Sequence, residues 1–234
     1  MPLFQINEPP RQKEKPRKSL RIAVLISGGG TGLQNLIDRI ADGRLPGVEI
    51  PIVVSSRTDV EGVARAERAD LPVDIIRVKD HPDVEQFTHH LTLTLDVYEV
   101  DLVVQAGWLC YWKLPHRWLG KVINIHPALL PKFGGKGFHG RAVHEAVLAA
   151  KETESGCTVH WVNNEYDAGE IIAQSNCPVL PDDTVETLAA RVSKLEHELL
   201  PKIIADIRAG NVKPPRMSSS PFSPTPTFSP TPKE

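Results

Sequence analysis

Five short apolar runs separated by stretches of helical period constrain the fold of this chain more than any other feature of its sequence. Residues 21–27, 49–55, 72–78, 101–105 and 122–125 read as strands. Between the first two, Leu33, Leu36, Ile37 and Ile40 recur at helical spacing up to Asp42 and Gly43, while 60–69 and 83–98 supply two further helices. Strands that are apolar throughout and alternate with helices need crossover connections and cover on both faces, which means a mainly parallel sheet. After a helix over 141–150, the runs 157–162 and 170–179 are separated by only a short polar turn, and that spacing predicts an antiparallel hairpin at the sheet edge. A last amphipathic helix, 184–208, contains Pro201, whose ring is expected to kink or break it. The expected fold is therefore α/β: a single Rossmann-like three-layer domain over residues 20–211, with a mostly parallel sheet of about seven strands and a C-terminal antiparallel hairpin.

The two ends differ from this middle. Residues 1–19 combine four prolines with Arg11, Lys13, Lys15, Arg17 and Lys18, and 212–234 hold seven prolines among serines and threonines. Neither composition buries enough apolar surface to offset chain entropy, so a disordered basic leader and a disordered tail are expected.

The 234 residues, 41% hydrophobic and 24% charged, suffice for one large core, and a net charge of -2 argues against a nucleic-acid partner. With no run of eighteen apolar residues and no signal-peptide core, nothing points to a membrane, and a cytoplasmic monomer or homodimer acting on small molecules is expected. Cys110, Cys157 and Cys177 are odd in number and lack metal-ligand spacing, so they are read as free thiols, with no metal.

Chemistry concentrates in Asn124-Ile-His-Pro-Ala-Leu-Leu-Pro131. Asn124 and His126 fall at a strand's carboxyl end, where open α/β sheets bind ligands. Residues two apart on a strand point the same way, so an amide and an imidazole converge on one spot. Such a pair can polarise a carbonyl and stabilise the oxyanion formed when it is attacked. A second feature is the first strand-to-helix turn, Ser27-Gly-Gly-Gly-Thr-Gly-Leu33, whose backbone amides at a helix N-terminus form an anion site. A dinucleotide site would want a third glycine where Leu33 stands, although Arg57 after the second strand could hold an NADP 2'-phosphate; a single phosphomonoester needs neither. The third is Asp167, in the turn between the last two strands, where Gly169 permits a tight loop. A carboxylate near His126 favours the imidazolium and is expected to raise the histidine pKa.

Together, Ser27-Gly28-x-Gly30-Thr31-x-Leu33, Gly107-Trp-Leu109, Asn124-Ile-His-Pro-x-Leu-Leu-Pro131, Gly156-Cys-Thr-Val-His160, Asp167-x-Gly169 and Glu196-His197 resemble the phosphoribosylglycinamide formyltransferases in order and spacing. The resemblance covers about residues 20–211. It implies 10-formyltetrahydrofolate as co-substrate and the amine of glycinamide ribonucleotide as acceptor, with Asn124, His126 and Asp167 catalytic. It also implies a ribonucleotide phosphate on Gly30, Thr31 and Gly32, Glu196 on its ribose or glycyl amine, and a folate pocket made by Leu109, Cys110, Tyr111, Trp112, Asn124 and the 163–167 loop. Three positions depart from the family pattern: the 134–140 stretch with Lys136 and His139, Val84 where an arginine often meets the folate glutamate (leaving Lys79 or a loop residue), and Gly32 in place of asparagine. His81, His89, His90, His116 and His144 match no family position and are read as surface or packing residues, Trp108 as core, and His160 as support for the hairpin. The readings to be weighed against this one are a formyltransferase for another amino sugar or nucleotide amine, an NADP-binding oxidoreductase, and a non-catalytic folate sensor.

Overall fold

A computed structural model describes residues 19–215. The leader and nearly all of the tail, on which two expectations rest, lie outside the described residues. Seven strands form one sheet in the order β3-β2-β1-β4-β5-β6-β7. They are β1 (Leu20–Ile26), β2 (Val48–Ser55), β3 (Val73–Ile75), β4 (Leu102–Gln105), β5 (Val122–His126), β6 (Glu154–Trp161) and β7 (Ile171–Pro178). The first five pair in parallel, whereas β6 runs antiparallel to β5 and to β7. The helices are α1 (Thr31–Ala41), α2 (Glu61–Arg68), α3 (Val84–Val97), α4 (Arg141–Ala149) and α5 (Val185–Ala209).

Two cores flank the sheet. On one side Ile22, Val24 and Ile26 of β1 meet Leu33 and Leu36 of α1 and Leu188, Val192 and Ile204 of α5; on the other, Ala23 and Leu25 meet Phe87, Leu91 and Leu95 of α3. Each large side chain so buried contributes roughly 1.5–3 kcal/mol. The alternation along β1 is why a run without polar residues is required, since both of its faces are covered. Chain order reverses between β1 and β4, which opens a crevice at their carboxyl ends.

Two expectations are corrected. The helix containing Pro201 is unbroken from Val185 to Ala209. Proline cannot donate to the carbonyl four residues back, that of His197. The Asn35 Nδ2 of α1 donates to this carbonyl instead, at 2.8 Å, and the proline ring is buried. The connection between the last two strands is also not a simple short turn. After Trp161 the chain doubles back, so that Asn164 bonds Leu114 and Asp167 reaches Gly135. The β6–β7 register shifts between Val159 and His160, a bulge beside this fold-back.

Candidate active site

The glycine loop closes the carboxyl end of β1. Gly30 caps α1 in the left-handed conformation (φ 67°) without a side-chain cap, so the first amides of the helix have no side chain occupying them. From behind, α2 braces the loop: Gly62 N–H donates to the Gly28 carbonyl at 3.1 Å and Arg65 Nε to that of Gly29 at 2.9 Å. The fit is tight, because a Cβ on Gly62 would stand 2.7 Å from the Gly28 oxygen and one on Gly30 would stand 2.6 Å from the Gly62 Cα. Ser56 turns inward to donate to Ser27 Oγ at 2.7 Å, and Ser27 Oγ accepts from Leu109 N–H at 2.9 Å, which ties together the ends of β1, β2 and β4.

Asn124 and His126 face one way from β5, as their spacing requires. His126 is 4% exposed. Its Nε2 lies 2.8 Å from the Phe133 carbonyl, which can only accept, so that nitrogen carries the proton. The other nitrogen, Nδ1, faces Asp167 Oδ2 at 3.6 Å, an ion-pair distance rather than a hydrogen bond. Asp167, at φ 52°, also accepts from Gly135 N–H at 2.9 Å. Asn124 Nδ2 lies 3.2 Å from His160 Nε2 and 3.4 Å from Asp167 Oδ1. Because His160 Nδ1 meets the Trp161 carbonyl at 2.8 Å, its Nε2 is the acceptor for Asn124. His160 thus holds the Asn124 amide from across the strand pair as well as supporting the hairpin.

The charge balance differs from the expected one. Burial holds His126 below its ordinary pKa, while the Asp167 carboxylate and the Phe133 carbonyl push the other way without overcoming it. A second proton would sit on Nδ1, between the ring and Asp167. For Asp167, burial pushes its pKa up, but the contact with His160, the His126 charge and the Gly135 amide outweigh this and leave it below the usual range.

These groups line a cavity of about 790 Å³ that runs from the glycine loop to Asp167. Gly30, Thr31, Gly32 and Glu196 lie on its wall, together with Leu109, Tyr111 and Trp112; Cys110 does not. The Cys110 thiol is half-buried beside Ser56, with its pKa raised by burial. Trp112 is mostly core, packed 6.1 Å from Trp118, and Trp108 stacks on Phe87 at 6.3 Å. The Glu196 side chain forms no hydrogen bond among the described residues, and burial pushes its carboxyl up to about 7. The 134–140 loop adds exposed Lys136, Phe138 and His139 to the wall. Neither Lys79, Val84 nor Arg57 reaches it, and Arg57 therefore leaves the NADP reading without its phosphate contact. Among the described residues, no group of three or more His, Cys, Asp or Glu is placed to hold a metal ion.

Tyr166, in the 163–167 loop expected at the folate, lines the cavity and meets Tyr111 at 5.6 Å. Asn35 lies on the wall without a motif in the sequence, and His144, expected as a surface or packing residue, is 5% exposed and lines the cavity. Its place next to core-facing Val143 in α4 was the available signal.

The mostly parallel sheet brings an amide, an imidazole and a carboxylate into one cavity with the glycine loop, and the chain belongs to the formyl transferase family, whose model matches residues 20–204. Within that family it is similar to phosphoribosylglycinamide formyltransferase of Haemophilus influenzae, at 36% identity over 195 residues covering 82% of this chain and 89% of that protein. The solved phosphoribosylglycinamide formyltransferase of Coxiella burnetii, in complex with CHES, superposes with a TM-score of 0.75 at 42% identity, covering 83% of this chain and 90% of that one. The chain is also 42% identical over 207 residues to the trifunctional purine biosynthetic protein adenosine-3 of Drosophila pseudoobscura pseudoobscura, covering 87% of this chain but spanning only 15% of that protein's length. Among the described residues, no helix is long and apolar enough to cross a membrane.

Proposed function

We propose that the chain transfers the formyl group of 10-formyltetrahydrofolate to the amine of glycinamide ribonucleotide, giving formylglycinamide ribonucleotide in purine biosynthesis. The observation that carries this reading is the meeting of Asn124, His126 and Asp167 at one end of a cavity whose other end is a glycine loop at the uncapped start of α1. The phosphate sits on the amides of Gly30, Thr31 and Gly32, where helix dipole and main-chain donors favour an anion. Glu196 meets the ribose or glycyl amine, and segment 109–112 with the 163–167 loop takes the pteridine. The amine then attacks the formyl carbon. Asn124 exchanges its long contact with Asp167 for the developing oxyanion, which the imidazolium of His126 also stabilises, with Asp167 holding that charge. Three free cysteines are in keeping with the reducing cytoplasm, and the enzyme works there as a monomer or homodimer.

The test is to incubate the protein with 10-formyltetrahydrofolate and a panel of amines and identify the product by mass. Formylation of glycinamide ribonucleotide is expected. Preference for a different amine would move the chain to another acceptor, and NADP binding by calorimetry would favour the oxidoreductase.

A residue outside the cavity gives a second check. Gly62→Ala drives a methyl group against the Gly28 carbonyl and shifts the loop. The ribonucleotide KM should rise by an order of magnitude or more, since a misplacement of about 1 Å can cost ~10²-fold. The folate KM should stay unchanged; an equal rise in both would mean that the loop does not seat the phosphate.

A further inference from the structure

The His126 ring is aimed by the Phe133 carbonyl, which belongs to the turn after β5 rather than to the sheet. We propose that Gln174, on the outer strand β7 and off the cavity wall, is a positioning residue that sets the His126 ring through Thr158 and this turn; the role rests on the formyl-transfer reading above.

β5 ends at His126, which pairs with Thr158 of β6, and Thr158 pairs in turn with Gln174 of β7. The three residues therefore stand in one row across the strands. Among the described residues, the hydrogen bonds that tie the main chain of residues 127–132 to other elements all run to this row. The buried Thr158 hydroxyl donates to the Ala128 carbonyl at 2.6 Å and accepts from Leu130 N–H at 3.1 Å. Gln174 Nε2 completes the set, donating to Thr158 Oγ1 at 2.8 Å and to the Leu130 carbonyl at 2.9 Å. The direction of these bonds is forced, because the Leu130 carbonyl can only accept and the Thr158 proton is committed to Ala128.

Phe133 comes three residues after Leu130 and holds a left-handed backbone (φ 56°), which a residue with a Cβ adopts only under constraint. The aim of its carbonyl is thus set by whatever anchors the turn, and Leu130 is the nearest main-chain anchor before it. Leu129 packs the same segment onto β6, since a Cβ on Gly156 would stand 2.8 Å from its Cδ2. The Phe133 carbonyl meets His126 Nε2 at 2.8 Å and leaves Nδ1 toward Asp167. Asp167 and His160 act on the His126 ring by charge, and His144 is the further titratable group that feels it. None of the three bonds Gln174, which bears no charge itself. Its influence on the ring is therefore geometric, passed along the turn.

Gln174→Leu tests this, because it keeps the size of the side chain and removes both donors at an exposed position of the edge strand. At pH 8 its kcat should fall about tenfold or more, since a misplacement of about 1 Å can cost ~10²-fold, while both KM values change little. The Phe133 carbonyl favours the protonated His126 ring, so losing its aim lowers that pKa. The loss should therefore be larger at pH 8 than at pH 6, and NMR titration of His126 without substrate should show the same acid shift. Thr158→Val should behave likewise, whereas Thr158→Ser, which keeps the hydroxyl, should retain most of the rate. Asn176→Leu, two residues along the same face of β7, is the edge control and should match the parent. A Gln174→Leu loss at pH 8 below about tenfold, a loss equal at both pH values, or an unmoved His126 titration overturns the proposal. So does failure of Gln174→Leu to fold, because the residue would then be a brace of the hairpin alone. Product formation by the unsubstituted chain is measured first: its absence removes the formyl-transfer reading, and the His126 titration then still decides whether Gln174 sets the ring.

Discussion

Asp167→Asn should lower kcat at pH 7.5 by about a hundredfold or more, the scale of losing one oxyanion or proton-transfer contributor. The sign of its pH dependence follows from the geometry. Burial already holds His126 below its ordinary pKa, and the carboxylate 3.6 Å from Nδ1 is the largest influence in the opposite direction. Without that charge the pKa falls further, so at any fixed pH fewer molecules carry the imidazolium and the residual activity shifts to the acid side. His126→Ala should cost a similar amount, and the double variant far less than the product of the two, because groups acting as a unit are not additive. Titration of His126 by NMR in the parent and in Asp167→Asn, with kcat against pH for all three variants, decides the matter. An unmoved His126 pKa together with multiplicative losses would show that Asp167 does not act through the histidine.

Glu196→Gln should do two opposite things. The folded carboxyl titrates at about 7 against an ordinary 4.5, so between those values the folded chain binds more protons than the unfolded one. Stability contributed at this position is therefore highest below pH 4.5, falls as pH rises through the window, and stays low above 7. The gap corresponds to roughly 3 kcal/mol. Glutamine cannot ionise, and at about 2–4 °C per kcal/mol the Tm at pH 8 should rise by several degrees, with little change at acid pH. Affinity for the ribonucleotide should fall about tenfold or more, as when a charged hydrogen-bond partner is removed. Calorimetric melts at pH 4.5 and 8 check the first effect, and the ribonucleotide KM checks the second. An unchanged Tm at pH 8 would mean that the carboxylate is well solvated within the cavity.

The parts of this molecule that could be read in advance depend on backbone period. The strand at 101–105 had to be buried on both faces because it is apolar apart from its ends, and the structure places Leu102, Val103 and Val104 within the two cores. Asn124 and His126 converge because a strand repeats every two residues. What could not be read depends on contacts distant in sequence. The rule that proline breaks helices holds for an isolated helix, and here Asn35, 162 residues before His197, supplies the missing donor. The net direction for His126 was misjudged because proximity to Asp167 is suggested by the motif, whereas the depth of burial is a property of the whole fold. Cys110 and Trp112 are neighbours of a cavity-lining leucine, but only the twist of the loop after β4 decides that one faces the wall and the other turns away. His144 carried no motif, and its place on the cavity wall is set by the packing of α4.

The bond from Asn35 to the His197 carbonyl has a bearing on selectivity. Asn35 belongs to the helix that starts at the phosphate loop, and His197 follows Glu196. By withholding a donor, Pro201 leaves one carbonyl free for a neighbouring helix, and the bond made there fixes the span between the glycine loop and the Glu196 carboxyl. In the proposed reaction that span is a gauge. An acceptor longer or shorter by one bond can fill either end of the gap but not both, so a phosphorylated amine of the wrong reach is refused by the separation of two helices rather than by any side chain that touches it.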